Sequence, residues 1–304
     1  MIHKTSVSSF GARSSLQPLL PVLARMYPTI QVRPYEAAWS HPDGAMTVVH
    51  ESILKAAAAQ PLRTLSMETT LARAKSTLAA RAVANLNQHP GIGVLEFDAD
   101  DQTVRLRTAL RATTQDANTR TDSLILLAAS MHAEFARSGG FKVPPYSRDS
   151  DLLAHQDDDN PWGLEEFESA TAAIKTRCRH TYYNRKGLIA ALRFGKEDIG
   201  QDPELQIESG RSHPMYGLGL QTSLTLPWNA PGSSRLEMAT RLNQLEHSSA
   251  HPLNSLGAWS APDGRPALAY RSFLPSRAAI PWLVTRIALE SLLRSVWAFQ
   301  QLTR

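Results

Sequence analysis

Two stretches of this chain read almost alike. "AAWSHPDGAMTVVHESIL" begins at Ala37 and "GAWSAPDGRPALAYRSFL" begins at Gly257. They share Trp39/Trp259, Ser40/Ser260, Pro42/Pro262, Asp43/Asp263, Gly44/Gly264, Ser52/Ser272 and Leu54/Leu274. In both, Asp-Gly sits between β-formers, and a proline sets the entry to the turn. A tight turn between twisted strands needs positive φ, where glycine costs least, so each stretch predicts a β-hairpin.

A helical pattern flanks each hairpin on both sides. "SLQPLLPVLARMY" precedes the first hairpin and "SRLEMATRLNQLE" the second. After the first, Leu71, Ala74, Leu78, Ala82 and Leu86 trace an apolar face that predicts a helix over 68–88. After the second comes "PWLVTRIALESLLRSVWAFQQL". There Arg286, Glu290 and Arg294 form one solvated stripe at four-residue spacing, and Leu289, Leu292, Leu293, Val296, Trp297 and Phe299 form a wide buried face. The expected repeat is therefore helix, hairpin, helix, with one tryptophan filling the same hole twice.

The remaining segments follow the same grammar. "GIGVLEFDADDQTVRLRTAL" reads as two strands around Asp100-Asp101, followed by a helix in "TDSLILLAASMHAEFAR". It aligns with the Gly257 hairpin at a constant offset of 164, keeping Gly93/Gly257, Arg107/Arg271 and Leu110/Leu274. "GLEEFESATAAIKTRCRHTYY" reads as a helix, with three strands after it in "KGLIAALRFG", "ELQIES" and "YGLGLQTSLTLPW". The Gly-Gly, Pro-Pro and aspartate-rich stretch between them is linker chemistry. The expected organisation is a first module over 1–140, a linker over 141–160 and a second module over 161–304. The fold class is α+β, with two related modules that each pack helices on a small antiparallel sheet.

The α-βββ-α-ββ-α order of the second half resembles the type III secretion chaperone fold and the related YbjN-like domains. "HPMYGLGL", "LGAWS" and "RSFLP" resemble phrases of bacterial proteins of that sort. The stretch from Thr29 to Ser52 departs from the pattern, with two clear strands and room for only a short third. The resemblance implies a binding protein without a cofactor, holding another polypeptide on sheet and helix surfaces. Members of the fold commonly pair, so two copies in one chain imply a built-in pseudo-dimer. It brings no catalytic residue with it.

Composition sets bounds on other functions. A formal charge of +4 over 304 residues does not by itself point to nucleic acid. No apolar run reaches the roughly 18 residues that span a bilayer. The N-terminus has no apolar core of signal-peptide length, and Cys178 is the single cysteine, so a reducing, cytoplasmic setting is expected.

Several constellations carry candidate chemistry. Lys175, Arg177, Arg179, His180, Arg185 and Lys186 surround Tyr182 and Tyr183, as in an anion or nucleic-acid contact. The favoured explanation is that Glu165, Glu166 and Glu168 open the same helix and these cations close it, complementing its dipole. Asp157, Asp158 and Asp159 lack the alternation and glycine of a calcium loop. His247 and His251 are four apart, but Pro252 ends a helix there. Basic neighbours could lower the pKa of Cys178, although a half-buried or incidental thiol is favoured. Gly217 and Gly219 fit a strand and match no phosphate loop. Trp39, Trp259, Phe273, Trp282 and Trp297 are the candidate partner contacts, with core packing favoured for Trp39 and Trp259. A protein partner without cofactor or metal is the leading expectation. The alternatives are a nucleic-acid binder using 175–186 and an enzyme without a recognisable motif.

Overall fold

The computed structural model describes residues 16–17, 20–41, 46–54, 62–73, 76–112, 161–193, 202–213, 217–247, 253–276, 279 and 282–303. The predicted linker, the helix expected at 121–137, Asp43-Gly44, the aspartate run and His251 lie outside these residues.

Among the described residues the first half runs α1 (Leu20–Met26), β1 (Gln31–Arg33), β2 (Glu36–Ser40), β3 (Met46–Leu54), β4 (Leu62–Arg73), α2 (Ser76–Leu86), β5 (Val94–Asp98) and β6 (Thr103–Ala112). The second runs α3 (Leu164–Ile174), β7 (Cys178–Asn184), β8 (Gly187–Leu192), β9 (Glu204–His213), β10 (Gly217–Pro227), α4 (Gly232–Glu246), β11 (Gly257–Ser260), β12 (Ala267–Pro275) and α5 (Leu283–Leu302). They form two six-stranded antiparallel sheets with one topology: β1-β2-β3-β4-β6-β5 in the first and β7-β8-β9-β10-β12-β11 in the second. The fold is α+β with two similar modules.

Each sheet carries one strand more than expected. Residues 62–73 are strand, and 68–73 among them were expected to begin the helix over 68–88. Leu65, Met67, Thr69 and Leu71 are buried in strict alternation with half-exposed neighbours, and the β-branched threonines among them suit a pleat. In the second half the helix stops at Ile174, a 3-10 turn covers Lys175–Arg177, and "CRHTYYN" is an edge strand. Asn184 turns that strand back by accepting the main-chain N–H groups of Lys186 and Gly187, at 2.7 and 3.2 Å.

The weak match at offset 164 is the structural repeat. Val94 pairs with Arg107 and Leu95 with Leu106, while Ala258 pairs with Arg271 and Trp259 with Tyr270. Gly93 and Gly257 persist for one reason: a Cβ on either would collide with the main-chain carbonyl of the facing arginine, Arg107 or Arg271. The stronger eighteen-letter match is not structural. Trp39 lies on β2, whose counterpart is β8, and Trp259 lies on β11, whose counterpart is β5. Their surroundings differ accordingly. Trp39 stacks on Tyr27 at 4.8 Å and its buried indole N–H has no acceptor. Trp259 donates its indole N–H to Glu246 at 2.8 Å. Both stretches do build hairpins, and Gly264 has the expected positive φ of 71°. The shared letters are two independent solutions to turning a strand.

The sheets meet through reciprocal main-chain bonds. Ala109 of β6 donates to Ser255 at 3.1 Å, and Phe273 of β12 donates to Gly91 at 2.9 Å. These two bonds join equivalent positions at offset 164. Gly93 also donates to Leu256 at 2.9 Å, and the Arg271 guanidinium donates to the Gln88 carbonyl. Buried apolar side chains of both halves form one continuous cluster.

Candidate functional site

Beyond the Gly93–Leu256 bond the edge strands β5 and β11 part, and a cleft of about 510 Å³ opens between α2 and α4. Each edge is closed by an asparagine from the preceding helix region. Asn87 donates to the Leu95 carbonyl at 2.9 Å and accepts the Leu95 N–H at 3.0 Å. Asn243 does the same for Trp259, at 2.9 and 2.7 Å. A carboxamide offers both N–H donors and a carbonyl acceptor, so it replaces a neighbouring strand at that residue.

The sequence does carry a signal for this pair. Leu86-Asn87-Gln88 is followed by His89-Pro90 and then Gly93, and Leu242-Asn243-Gln244 by His251-Pro252 and then Gly257. The unequal spacing between these blocks hides the repeat from a gap-free comparison.

The first-sheet wall of the cleft is ionic. Arg107 bonds Glu68 at 2.7 Å and Glu96 at 2.8 Å. Arg105 bonds Glu68 at 3.1 Å, Asp98 at 3.4 Å and Asp101. Burial works against the Arg107 charge, but Glu96 and Glu68 outweigh it and hold its pKa above the ordinary value. Thr103 and Arg105 hold the Asp101 carboxyl below its usual range by hydrogen bonding and charge.

A second polar group is sealed in the core behind β11. Arg294 of α5 pairs with Glu246 at 2.9 Å, lies 4.0 Å from the centre of the Tyr270 ring and donates to the Asn254 carbonyl. Burial disfavours the charge on Arg294, yet Glu246 together with Tyr270 and Glu290 raises its pKa. Burial also lifts the Tyr270 hydroxyl well above the ordinary phenol value. Every charged member of this group has a partner, so its chemistry is structural.

Arg294 therefore does not belong to the solvated stripe expected for α5, although Arg286 and Glu290 do pair there, at 3.2 Å. The apolar residues assigned to a buried face include three that are exposed: Leu289, Leu293 and Val296. They lie within about 60° of arc along roughly 10 Å of the helix, and exposed Trp282 immediately precedes its first turn. Trp282 is 68% exposed and Leu293 56%. Trp282 also has a left-handed backbone, with φ of 69°, a conformation few bulky residues adopt.

Of the other candidate partner contacts, Trp39 and Trp259 are 1% exposed and Phe273 is 0%. They are core side chains and present no surface to a partner. Trp297 is partly buried against the core.

The basic residues do not close a helix. Lys175 and Arg177 stand on the 3-10 turn, Arg179 lies on β7 paired with Asp202 at 2.8 Å, and Arg185 and Lys186 form the β7–β8 turn. All five are exposed, as is Tyr182. Cys178 is buried, with its thiol 3.2 Å from the Ile174 carbonyl, and burial raises its pKa instead of the basic neighbours lowering it. His247 caps α4 with its Nδ1 2.9 Å from the Asn243 carbonyl. Gly217 and Gly219 belong to β10.

No protein-family model matches the chain, and no curated protein or solved structure matches it either. No helix among the described residues is long and apolar enough to cross a membrane.

Proposed function

We propose that this chain is a non-enzymatic, chaperone-like protein that holds a polypeptide partner, with the outer face of α5 as the contact. The observation that carries this reading is the exposed row Trp282, Leu289, Leu293 and Val296. A soluble helix normally turns such a row inward, and an apolar face left to water is the usual mark of a binding surface. A partner would bury it as an amphipathic helix or strand does in a groove. The type III secretion chaperones and YbjN-like domains give the same reading from element order. The reciprocal Ala109–Ser255 and Phe273–Gly91 bonds support a further part of it, in which the two modules form a built-in pair.

The test is affinity capture from the native cell with the unaltered chain and with Leu289→Ser/Leu293→Ser, compared by mass spectrometry. Because both side chains face water, the variant should melt as the parent does. The reading expects a defined partner with the parent and its loss with the variant. Equal capture by both, or nothing above background from either, overturns it.

A second reading rests on the exposed basic β7–β8 hairpin with Tyr182 at its face, a surface suited to phosphates and a stacked base. It expects salt-dependent retention of single-stranded oligonucleotides that Arg177→Glu/Arg185→Glu abolishes.

A further inference from the structure

The loop that leads from α2 to β5 is held down from the other module. The Arg271 guanidinium of β12 donates to the Gln88 carbonyl, and the His213 ring of β9 donates to the Pro90 carbonyl. The Phe273 amide of β12 donates to the Gly91 carbonyl at 2.9 Å. Gln88, His89, Pro90 and Gly91 are themselves only half-buried, so these donors hold a strap at the surface of the junction. We infer that protonation of His213 releases this strap, opening the junction locally in mild acid without unfolding either sheet.

His213 ends β9 and is 2% exposed, with its ring 4.8 Å from that of Phe273. A neutral imidazole suits this place, because one nitrogen donates across the junction and the ring packs on an apolar neighbour. An imidazolium keeps that hydrogen bond but puts a charge where water does not reach it. His89, on the strap itself, opposes the added positive charge, and no carboxylate among the described residues acts on the ring to offset it. The other ionisable groups on the elements around His213 are engaged elsewhere. On β9, Glu208 bonds Arg211 at 2.6 Å and Glu204 stands at the far end of the strand. On β12, Arg271 is at the Gln88 carbonyl and Tyr270 lies under Arg294, while β10 carries no ionisable side chain.

Lifting the strap lets water reach the ring, so the proton favours the open junction. With the junction closed, burial holds the ring at a pKa of about 4, against about 6.5 for a solvated imidazole. The closed form therefore holds fully above about pH 6.5 and loses ground as pH falls towards about 4.

Hydrogen exchange of the full chain at about pH 7.5 and about pH 5, with and without sub-denaturing urea, tests the inference. The Phe273 amide, freed when the strap lifts, should exchange faster than amides in the middle of β3 and β8 and be indifferent to urea. Its opening constant, corrected for the intrinsic pH dependence of exchange, should rise about thirtyfold between the two pH values. His213→Gln keeps a donor for Pro90 but takes up no proton, so its opening constant should stay level. Complete unfolding gains from the same proton, and urea separates it from local release. A Phe273 amide that exchanges only through urea-sensitive unfolding overturns the inference. So does a rise that is absent, or one that persists in His213→Gln. Should that variant not fold, imidazole NMR of the unaltered chain decides. A His213 ring still neutral at about pH 5 supports the inference, and one that titrates near its ordinary value in the folded protein overturns it.

Discussion

Arg294 and Glu246 meet at 2.9 Å with side chains 4% and 1% exposed, and their ion pair fastens the C-terminal helix to the end of α4. Removing one partner of such a pair leaves a buried charge uncompensated, whereas removing both does not. Arg294→Met should cost about 3–5 kcal/mol of unfolding free energy. Arg294→Met/Glu246→Gln should recover part of that, because glutamine still accepts the Trp259 indole N–H. Urea unfolding of the three proteins measures it, and a double variant no better than the single would contradict it.

The asparagine clamps should be separately measurable. Asn87→Ala and Asn243→Ala each remove two hydrogen bonds to main chain and leave an N–H and a carbonyl unmet, for about 2–3 kcal/mol apiece. Hydrogen exchange should accelerate at the Leu95 amide in the first variant and at the Trp259 amide in the second. Asn→Asp at either position keeps the acceptor and loses the donor, so its amide should stay protected longer than in the alanine variant.

Gly93→Ala and Gly257→Ala place a methyl group against the Arg107 or Arg271 carbonyl. Gly93 has the added burden of φ at 89°. Both should lower the melting temperature, through roughly 1–3 kcal/mol of strain, with Gly264→Ala as the comparison. Gly264 also has positive φ but open space around it, so it isolates the backbone contribution from the collision.

His213 makes stability depend on pH. Burial holds its ring at a pKa of about 4, although it donates to the Pro90 carbonyl, and nearby His89 pushes the same way. The unfolded chain takes up this proton near pH 6.5 and the folded chain does not. Stability is therefore complete above pH 6.5, declines as pH falls towards 4, and levels off below that. The loss is at most ~3 kcal/mol. His213→Gln should flatten the slope across that window in chemical denaturation, and an unchanged slope would assign it to another group.

How much of this was legible in the sequence depends on what each residue had to signal. The β5–β6 and β11–β12 hairpins followed from alternation and turn residues, which are local. The extra strands did not, because "TLSMETTLAR" and "CRHTYYN" also fit helical spacing and only pairing with neighbours decides between the two. The inverted face of α5 was hidden for a similar reason. Arginine at position 294 reads as surface until Glu246, Tyr270 and the Asn254 carbonyl are known to await it. The cleft was invisible altogether, since its walls are 150 residues apart. The clamps that flank it left a trace in the two Leu-Asn-Gln triplets. Letter identity misled most at Trp39 and Trp259, where a favourable turn was written twice in places the fold does not equate.

The carboxamides of Asn87 and Asn243 have a consequence for self-assembly. By occupying the inner margins of both sheets they deny incoming chains a template there, in the way natural proteins guard against runaway sheet growth. Among the described residues, strand addition is left the other edges of the two sheets, β1 and β7.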